Sequence, residues 1–335
     1  MLLTFCVLAF IQQKSGSLKP LVVQPEENSA WMQIASKTGV SFSSPVDLGE
    51  PKSTGPDLPH TTAETYSPSS WTGTTISASR APFGKEDPED SEATKLEDVV
   101  YGEIDVEENP VTSIRFSVQE GWPELNLEGK KKDGTAYRYL VCRTKKENFL
   151  FSVSGKTLPS QEVLDKMFLS FRLPTETGSG SSTRCGPEPG LFKLNQGAVE
   201  VWSPVQLKRS DESLNEGGAT GEEFDGEFGY CNYRMVVIKC PDNVLAMINQ
   251  DALDDVIKQM VDEECEGDKV PIYPIKVTEI SGISYRTAVI RDGTIDGKVA
   301  VALKGNTLVM SSAWVPHGMI ESEDVKHYFS SIKVK

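Results

Sequence analysis

The strongest constraint in this sequence is that it repeats. Leu164, Met167, Phe168 and Phe171 have the i, i+3, i+4, i+7 spacing of an amphipathic helix face. Val325, Tyr328, Phe329 and Ile332 have the same spacing 161 residues later at all four positions. Each set runs into a similar tail, Ser170-Phe-Arg-Leu173 and Ser331-Ile-Lys-Val334. Earlier in each half, Val40-Ser-Phe-Ser-Ser-Pro-Val-Asp-Leu48 matches Val199-Glu-Val-Trp-Ser-Pro-Val-Gln-Leu207 at an offset of 159. Between these landmarks, Asp133-Gly134 is paired with Asp296-Gly297 at 163, and Asn148 with Asn306 at 158. Landmarks in the same order at nearly one offset mean a tandem duplication. Tyr137-Arg138 also resembles Tyr285-Arg286, but its offset of 148 breaks the series, so it is set aside as a chance dipeptide.

The length agrees with a duplication. A chain of 335 residues holds about two domains at ~150 residues each. Residues 174–190, PTETGSGSSTRCGPEPG, lack apolar periodicity and read as a linker. This places a first repeat at 31–173 and a second at 191–335. Residues 49–70, rich in Pro, Ser, Thr and Gly, are expected to form an irregular loop within the first. Residues 1–16 read as a signal peptide. The apolar run Leu2–Ile11 is too short for a membrane span, which takes ~20 residues, and fits the apolar region of an export signal. No later segment reaches spanning length.

Within each repeat the pattern predicts a first strand (38–43; 197–202) that stops at Ser-Pro, because proline cannot donate to a ladder. Further strands are expected at Thr74–Ser79 and Tyr233–Lys239. A helix is expected within 243–264, with Leu245, Ile248, Leu253, Val256, Ile257 and Met260 near one face. The matching stretch of the first repeat, EDPEDSEATKLEDVV, is more weakly periodic. Hairpins are expected from 137–143 with 149–154 and from 298–303 with 306–313. The fold class is therefore α+β: two tandem copies of an antiparallel sheet flanked by helices.

This order of motifs resembles the PsbP/Mog1-like family. The residues that carry the resemblance are Phe42-Ser-Ser-Pro45 and Val201-Trp-Ser-Pro204, the turn Gly305-Asn306-Thr-Leu308, and the helix ends Phe168-Leu-Ser-Phe-Arg172 and Phe329-Ser-Ser-Ile-Lys333. The resemblance covers about 31–174 and 190–335. It implies an α/β/α sandwich, a central antiparallel sheet with helices on both faces. It also implies an accessory or binding role, as in photosystem subunits and GTPase-binding factors. It assigns no functional residue, because the matching positions look like core.

The chemistry points the same way. Lys+Arg is 34 and Asp+Glu 49, a net charge of −15, and removing the leader with its Lys14 makes it −16. Phosphate contacts need Lys and Arg, so nucleic acid is not an expected partner. The chain has three histidines, His60, His317 and His327, and no Gly-x-Ser-x-Gly elbow, so no nucleophile with its base is recognisable. Gly293-Thr-Ile-Asp-Gly297-Lys298 is one residue short of a phosphate loop. The acidic stretches Asp211–Asp225 and Asp262–Asp268 lack calcium-loop spacing and read as solvated loops. Neither a metal nor a cofactor is expected. Cys142 reads as a buried core thiol, and one disulfide among Cys185, Cys231, Cys240 and Cys265 is open in an oxidising compartment. Trp71, Trp122, Trp202 and Trp314 read as core or rim packing, and a ligand groove lined by Trp314 and Tyr328 is the one binding site suggested.

The function expected is thus an exported, extracytoplasmic, non-enzymatic binding or envelope-associated accessory protein whose partner is a protein or small ligand. The alternative is a hydrolase or metal-dependent enzyme with its site between the two repeats.

Overall fold

In a computed structural model of the chain, residues 30–54, 62–83, 90–105, 108–182, 184–211, 214–216, 218–264, 274–291 and 293–335 are described. The leader, His60, Cys6 and Cys265 lie outside them. The first half contains strands β1 (Met32–Ala35), β2 (Ser41–Ser44), β3 (Lys52–Thr54), β4 (Thr62–Tyr66) and β5 (Thr74–Pro82). Helix α1 (Glu92–Tyr101) follows, then β6 (Val111–Gln119), β7 (Trp122–Lys130), β8 (Ala136–Arg143), β9 (Glu147–Gly155) and helix α2 (Gln161–Leu169). The second half contains β10 (Gly190–Leu194), β11 (Val199–Ser203), β12 (Lys208–Arg209), β13 (Leu214–Glu216), β14 (Ala219–Phe228) and β15 (Cys231–Lys239). Helices α3 (Asp242–Leu245) and α4 (Gln250–Glu264) come next, then β16 (Lys276–Ile280), β17 (Ile283–Arg291), β18 (Ile295–Lys304), β19 (Thr307–Pro316), α5 (Glu323–Ser330) and β20 (Lys333–Val334).

Both halves build the same antiparallel sheet. The strand order is β3-β4-β5-β9-β8-β7-β6 in the first and β12-β14-β15-β19-β18-β17-β16 in the second, where β13 pairs off line with β14. Each sheet is covered on both faces. In the first, α2 packs with Phe42, Ile76, Phe149 and Phe151, while α1 packs with Leu125, Leu127 and Val141 on the other side. In the second, Val325, Tyr328 and Phe329 of α5 pack with Ala313 and Val315, while Ile257, Met260 and Val261 of α4 pack with Leu308 and Trp314. Alternate residues of one strand thus serve opposite layers. This is the α/β/α sandwich, in two copies, that the resemblance implies.

The duplication extends to hydrogen bonds. Ser170 ends α2, donates its hydroxyl to Met167 O at 2.7 Å and accepts the Ser43 N–H at 2.7 Å. Ser331 ends α5, donates to Tyr328 O at 2.8 Å and accepts the Trp202 N–H at 2.8 Å. Before the prolines, Ser44 Oγ accepts the Val46 N–H and Ser203 Oγ the Val205 N–H, each at 3.2 Å. The tail after each last helix returns to the first strand. Ser41 exchanges backbone hydrogen bonds with Arg172, and β11 pairs with β20 through Glu200 and Lys333.

Three local expectations change. Residues 49–70 contain the hairpin β3–β4 rather than only irregular loop. Alternation in Thr62-Ala63-Glu64-Thr65-Tyr66 buries Glu64 and Tyr66, a pattern that composition alone hides. Glu64 is satisfied there by Ser36 Oγ at 2.8 Å, Lys37 N–H at 2.9 Å and Tyr66 OH at 2.9 Å. Burial acts to raise its pKa, and the three hydrogen bonds together with the Lys37 charge outweigh burial and lower it. The helix expected within 243–264 is two helices, because the Asn249 side chain accepts the Ala252 N–H at 2.8 Å and starts α4 afresh. Asp296-Gly297 lies inside β18, so it is not the partner of Asp133-Gly134. The counterpart of Gly134 (φ +88°) is Gly293 (φ +109°), 159 residues on and also between the sheet's matching strands.

The halves touch along a continuous apolar seam that includes Leu96, Val100 and Val111 of the first and Val199, Tyr233 and Ile320 of the second. Phe116 meets Phe228 edge-on at 4.8 Å, and the Val111 N–H donates to His317 O at 2.8 Å. Residues 174–190 run between the halves and bind to the β6–β7 turn. There Gly180 N–H donates to Glu120 O and Ser182 N–H to Gly121 O, each at 2.9 Å.

Candidate functional site

Strand β7 reads Trp-Pro-Glu-Leu-Asn-Leu-Glu-Gly-Lys. Leu125 and Leu127 point to the α1 core, so Glu124, Asn126 and Glu128 point to the opposite face. Register adds Ser117 and Arg115 of β6, which stand opposite Glu124 and Asn126. It also adds Leu140 and Arg138 of β8, opposite Asn126 and Glu128. Helix α2 covers only part of this face. Asp165, Phe168 and Leu169, with Arg172 beyond the helix, form one wall of a groove of about 840 Å³.

The floor is polar, and most of its groups are paired with one another. Glu124 accepts Ser117 Oγ at 2.7 Å and Asn126 Nδ2 at 2.9 Å. Burial pushes its carboxyl pKa up, against these hydrogen bonds and the fields of Arg138 and Arg172. Asn126 Oδ1 is buried with no partner. Arg138, 7% exposed, donates to Asp165 Oδ1 at 2.6 Å, lies 3.3 Å from Glu128 Oε1, and stacks 4.3 Å over the Phe168 ring. The rim differs. Among the described residues the Arg172 guanidinium donates to the carbonyls of Leu169 (2.8 Å) and Phe171 (2.6 Å) and to no carboxylate. Arg115 is exposed with no partner among the described residues. Among the described residues, neither of these two rim guanidiniums is ion-paired with a carboxylate.

The corresponding face of the second repeat is built differently. Asn126 pairs with Leu140 as Thr287 pairs with Ala300, which puts Tyr285, Thr287 and Val289 where Glu124, Asn126 and Glu128 stand. Tyr285 is fully buried in the core. Lys298 takes the place of Arg138 and lies 4.6 Å over Phe329, the counterpart of Phe168. Burial lowers the Lys298 pKa.

The pair expected from sequence to line a groove is not brought together. Trp314 packs in the α4 layer and Tyr328 in the α5 layer, on opposite faces of one sheet. Tyr328 is fully buried, donating to Arg234 O at 2.8 Å and accepting Ser311 Oγ at 3.2 Å. Of the two histidines among the described residues, His317 is half-buried and His327 is exposed. His317 Nδ1 lies 3.0 Å from Asp296, a buried carboxylate that also accepts the Gly318 N–H at 2.9 Å. His327 stacks on Trp202 with centroids 4.2 Å apart. Cys142, Cys185, Cys231 and Cys240 are free thiols. Burial raises the Cys142 pKa, as suits a core thiol. Among the described residues no group of three or more His, Cys, Asp or Glu side chains gathers as for a metal, and no helix is long and apolar enough to cross a membrane.

Sequence reasoning missed the groove. The signal was the run of polar residues at i, i+2, i+4 in β7 beside a buried arginine in β8. A solvent-facing strand gives the same alternation.

No protein-family model and no curated protein sequence matches the chain. Three solved structures of similar fold span its range. The cyanobacterial PsbP (CyanoP) of Synechocystis sp. PCC 6803 is 13% identical, covers 47% of this chain and 98% of its own, and gives a TM-score of 0.35. The Saccharomyces cerevisiae Ran-binding protein Mog1p is 12% identical over 44% of this chain and 96% of its own, with a TM-score of 0.29. The immunity protein TplEi of the T6SS of Pseudomonas aeruginosa is 9% identical over 92% of this chain and 98% of its own, with a TM-score of 0.25.

Proposed function

We propose that this chain is a non-enzymatic, extracytoplasmic binding protein that takes an anionic ligand, a carboxylate or phosphate, in the groove of its first repeat. One observation carries the reading: the same face of the same fold is filled by Tyr285 in one copy and left as a polar groove in the other, with two arginines at its rim that form no ion pair among the described residues. On a chain of net charge −15, arginines without carboxylate partners are the groups left to meet an anion. The carboxylates beside them, Glu124 and Asp165, are already engaged by hydrogen bonds or ion pairs. The apolar run Leu2–Ile11 supports export.

Thermal unfolding of the full chain against small carboxylates, inorganic phosphate and phosphate monoesters tests the groove. A ligand at 100 times its Kd adds about 2.7 kcal/mol. The expected result is a rise in Tm with at least one such anion that is lost in the Arg115→Ala/Arg172→Ala variant. No rise with any of them, or an equal rise in the variant, overturns the reading. Sequencing the N-terminus of the exported protein tests the leader: a mature chain that starts beyond the apolar run Leu2–Ile11 is expected, and one that starts at Met1 overturns export.

A further inference from the structure

Glu97 is a fully buried carboxyl that the groove does not use. It sits on the inner face of α1 and crosses to the other repeat, where the β14–β15 turn presents the Tyr230 N–H to Glu97 Oε2 at 2.8 Å. The Tyr101 hydroxyl lies 3.5 Å from Oε1. The turn is shaped around this carboxyl. Gly229 has a left-handed φ of +57°, and a Cβ there would collide with the Glu97 carboxyl group. Next to it, Tyr230 OH donates to Asp98 Oδ1 at 2.6 Å, and the Tyr230 and Tyr101 rings lie 5.5 Å apart.

We infer that Glu97 is a proton-dependent latch between the two repeats, closed when its carboxyl is neutral and loosened when it ionises.

The charged and titratable groups around Glu97 support this. Asp98 and Tyr101 face it from α1, and Asp90, just before that helix, adds its charge beside Tyr230. Tyr230 and Cys231 face it from the β14–β15 turn, and Asp324 of α5 adds its charge beside Cys231. None of these is a cation. A carboxylate formed there has one good hydrogen bond and no counter-ion, and it is held away from water. Burial, first among the causes, pushes its pKa up to about 8, and the Tyr230 and Tyr101 hydrogen bonds only partly offset it. The sign follows from linkage. In a parted state Glu97 is solvated and ionises near its ordinary value of 4.5, so the latch's contribution is complete below that pH and is lost as pH rises to about 8. The parting equilibrium therefore rises about fiftyfold between pH 6 and pH 8 and levels off above about pH 9.

Amide exchange of the full chain, corrected for intrinsic rates, reads this directly at residues 226–232 and 94–101. In the wild type, protection of both segments should fall together by about fiftyfold from pH 6 to pH 8. Glu97→Gln keeps an acceptor for the Tyr230 N–H and should give a flat profile. Tyr230→Phe keeps that N–H and loses only the Asp98 contact, so it should keep the slope. A flat wild-type profile, or the same slope in Glu97→Gln, overturns the inference. If Glu97→Gln does not fold, loss of the slope in Tyr230→Phe overturns it equally. The groove is not involved, so these outcomes are independent of the anion test.

Discussion

Phe168 and Phe329 hold the same position in the two repeats, and each carries a cation over its ring. The sheet beneath them differs. Under Phe168 it presents Glu124, Asn126 and Glu128, and under Phe329 it presents Tyr285, Thr287 and Val289. The scaffold needs the helix, its serine cap and the first strand, and both copies keep these. It does not need one composition on that face. One copy has spent the face on core and the other has left it polar and concave, so binding is expected where the fold gains least from packing.

The largest expected effect is at Tyr285. Tyr285→Ala empties a fully buried site and should cost about 3–5 kcal/mol in chemical denaturation. Asn126→Ala, at the matching position of the groove, should cost under about 1 kcal/mol, since it also deletes an unpaired buried oxygen. Equal losses would erase the distinction between the two faces.

Two of the buried carboxyls, Glu64 and Glu97, make a second contrast. Glu64 accepts three hydrogen bonds and its pKa is lowered, whereas Glu97 accepts one good one and its pKa is raised. Glu64→Gln should cost about 1–3 kcal/mol at pH 7. The Glu64 contribution is present above its unfolded value of 4.5 and is lost as pH falls through the lowered folded value. Acid titration of Glu64→Gln should therefore show a shallower loss of stability below pH 4.5 than the wild type.

A smaller test concerns what the copies share. Ser170→Ala and Ser331→Ala each remove one helix-end hydroxyl tied to a first-strand amide, and each should cost about 1 kcal/mol. A clear inequality between them would mean the two ties do different jobs. Smallest is Tyr285→Phe. Its hydroxyl is buried without a partner, so removal should be neutral or stabilising by up to about 1 kcal/mol.

The parts legible in the sequence are those whose signal is local and periodic. The closing helices were readable from Leu164, Met167, Phe168 and Phe171 and their copies, because a helix buries one stripe. The hairpins β8–β9 and β18–β19 were readable from apolar runs around short turns. Rejecting the pairing of Tyr137 with Tyr285 agrees with the topology, since they lie on β8 and β17, which are not equivalent strands. The groove was not legible. Glu124, Asn126 and Glu128 look like any solvent-facing side of a strand, and only the incomplete cover of α2 makes them a site. Trp314 and Tyr328 misled for the reverse reason: both are large and aromatic, and their separation by a sheet is invisible in one dimension. Glu97 was hidden in an acidic run, because its partner is the amide of Tyr230, 133 residues away.

The hydrogen bonds between Ser41 and Arg172, and between β11 and β20, bring the start and finish of each unit side by side. A unit that begins where it ends is a cassette. It can be copied head to tail without rethreading any strand, which accounts for how this chain doubled. It can also be opened elsewhere: joining the natural ends of one unit and cutting at the exposed Gly305-Asn306 turn should leave the sheet order unchanged.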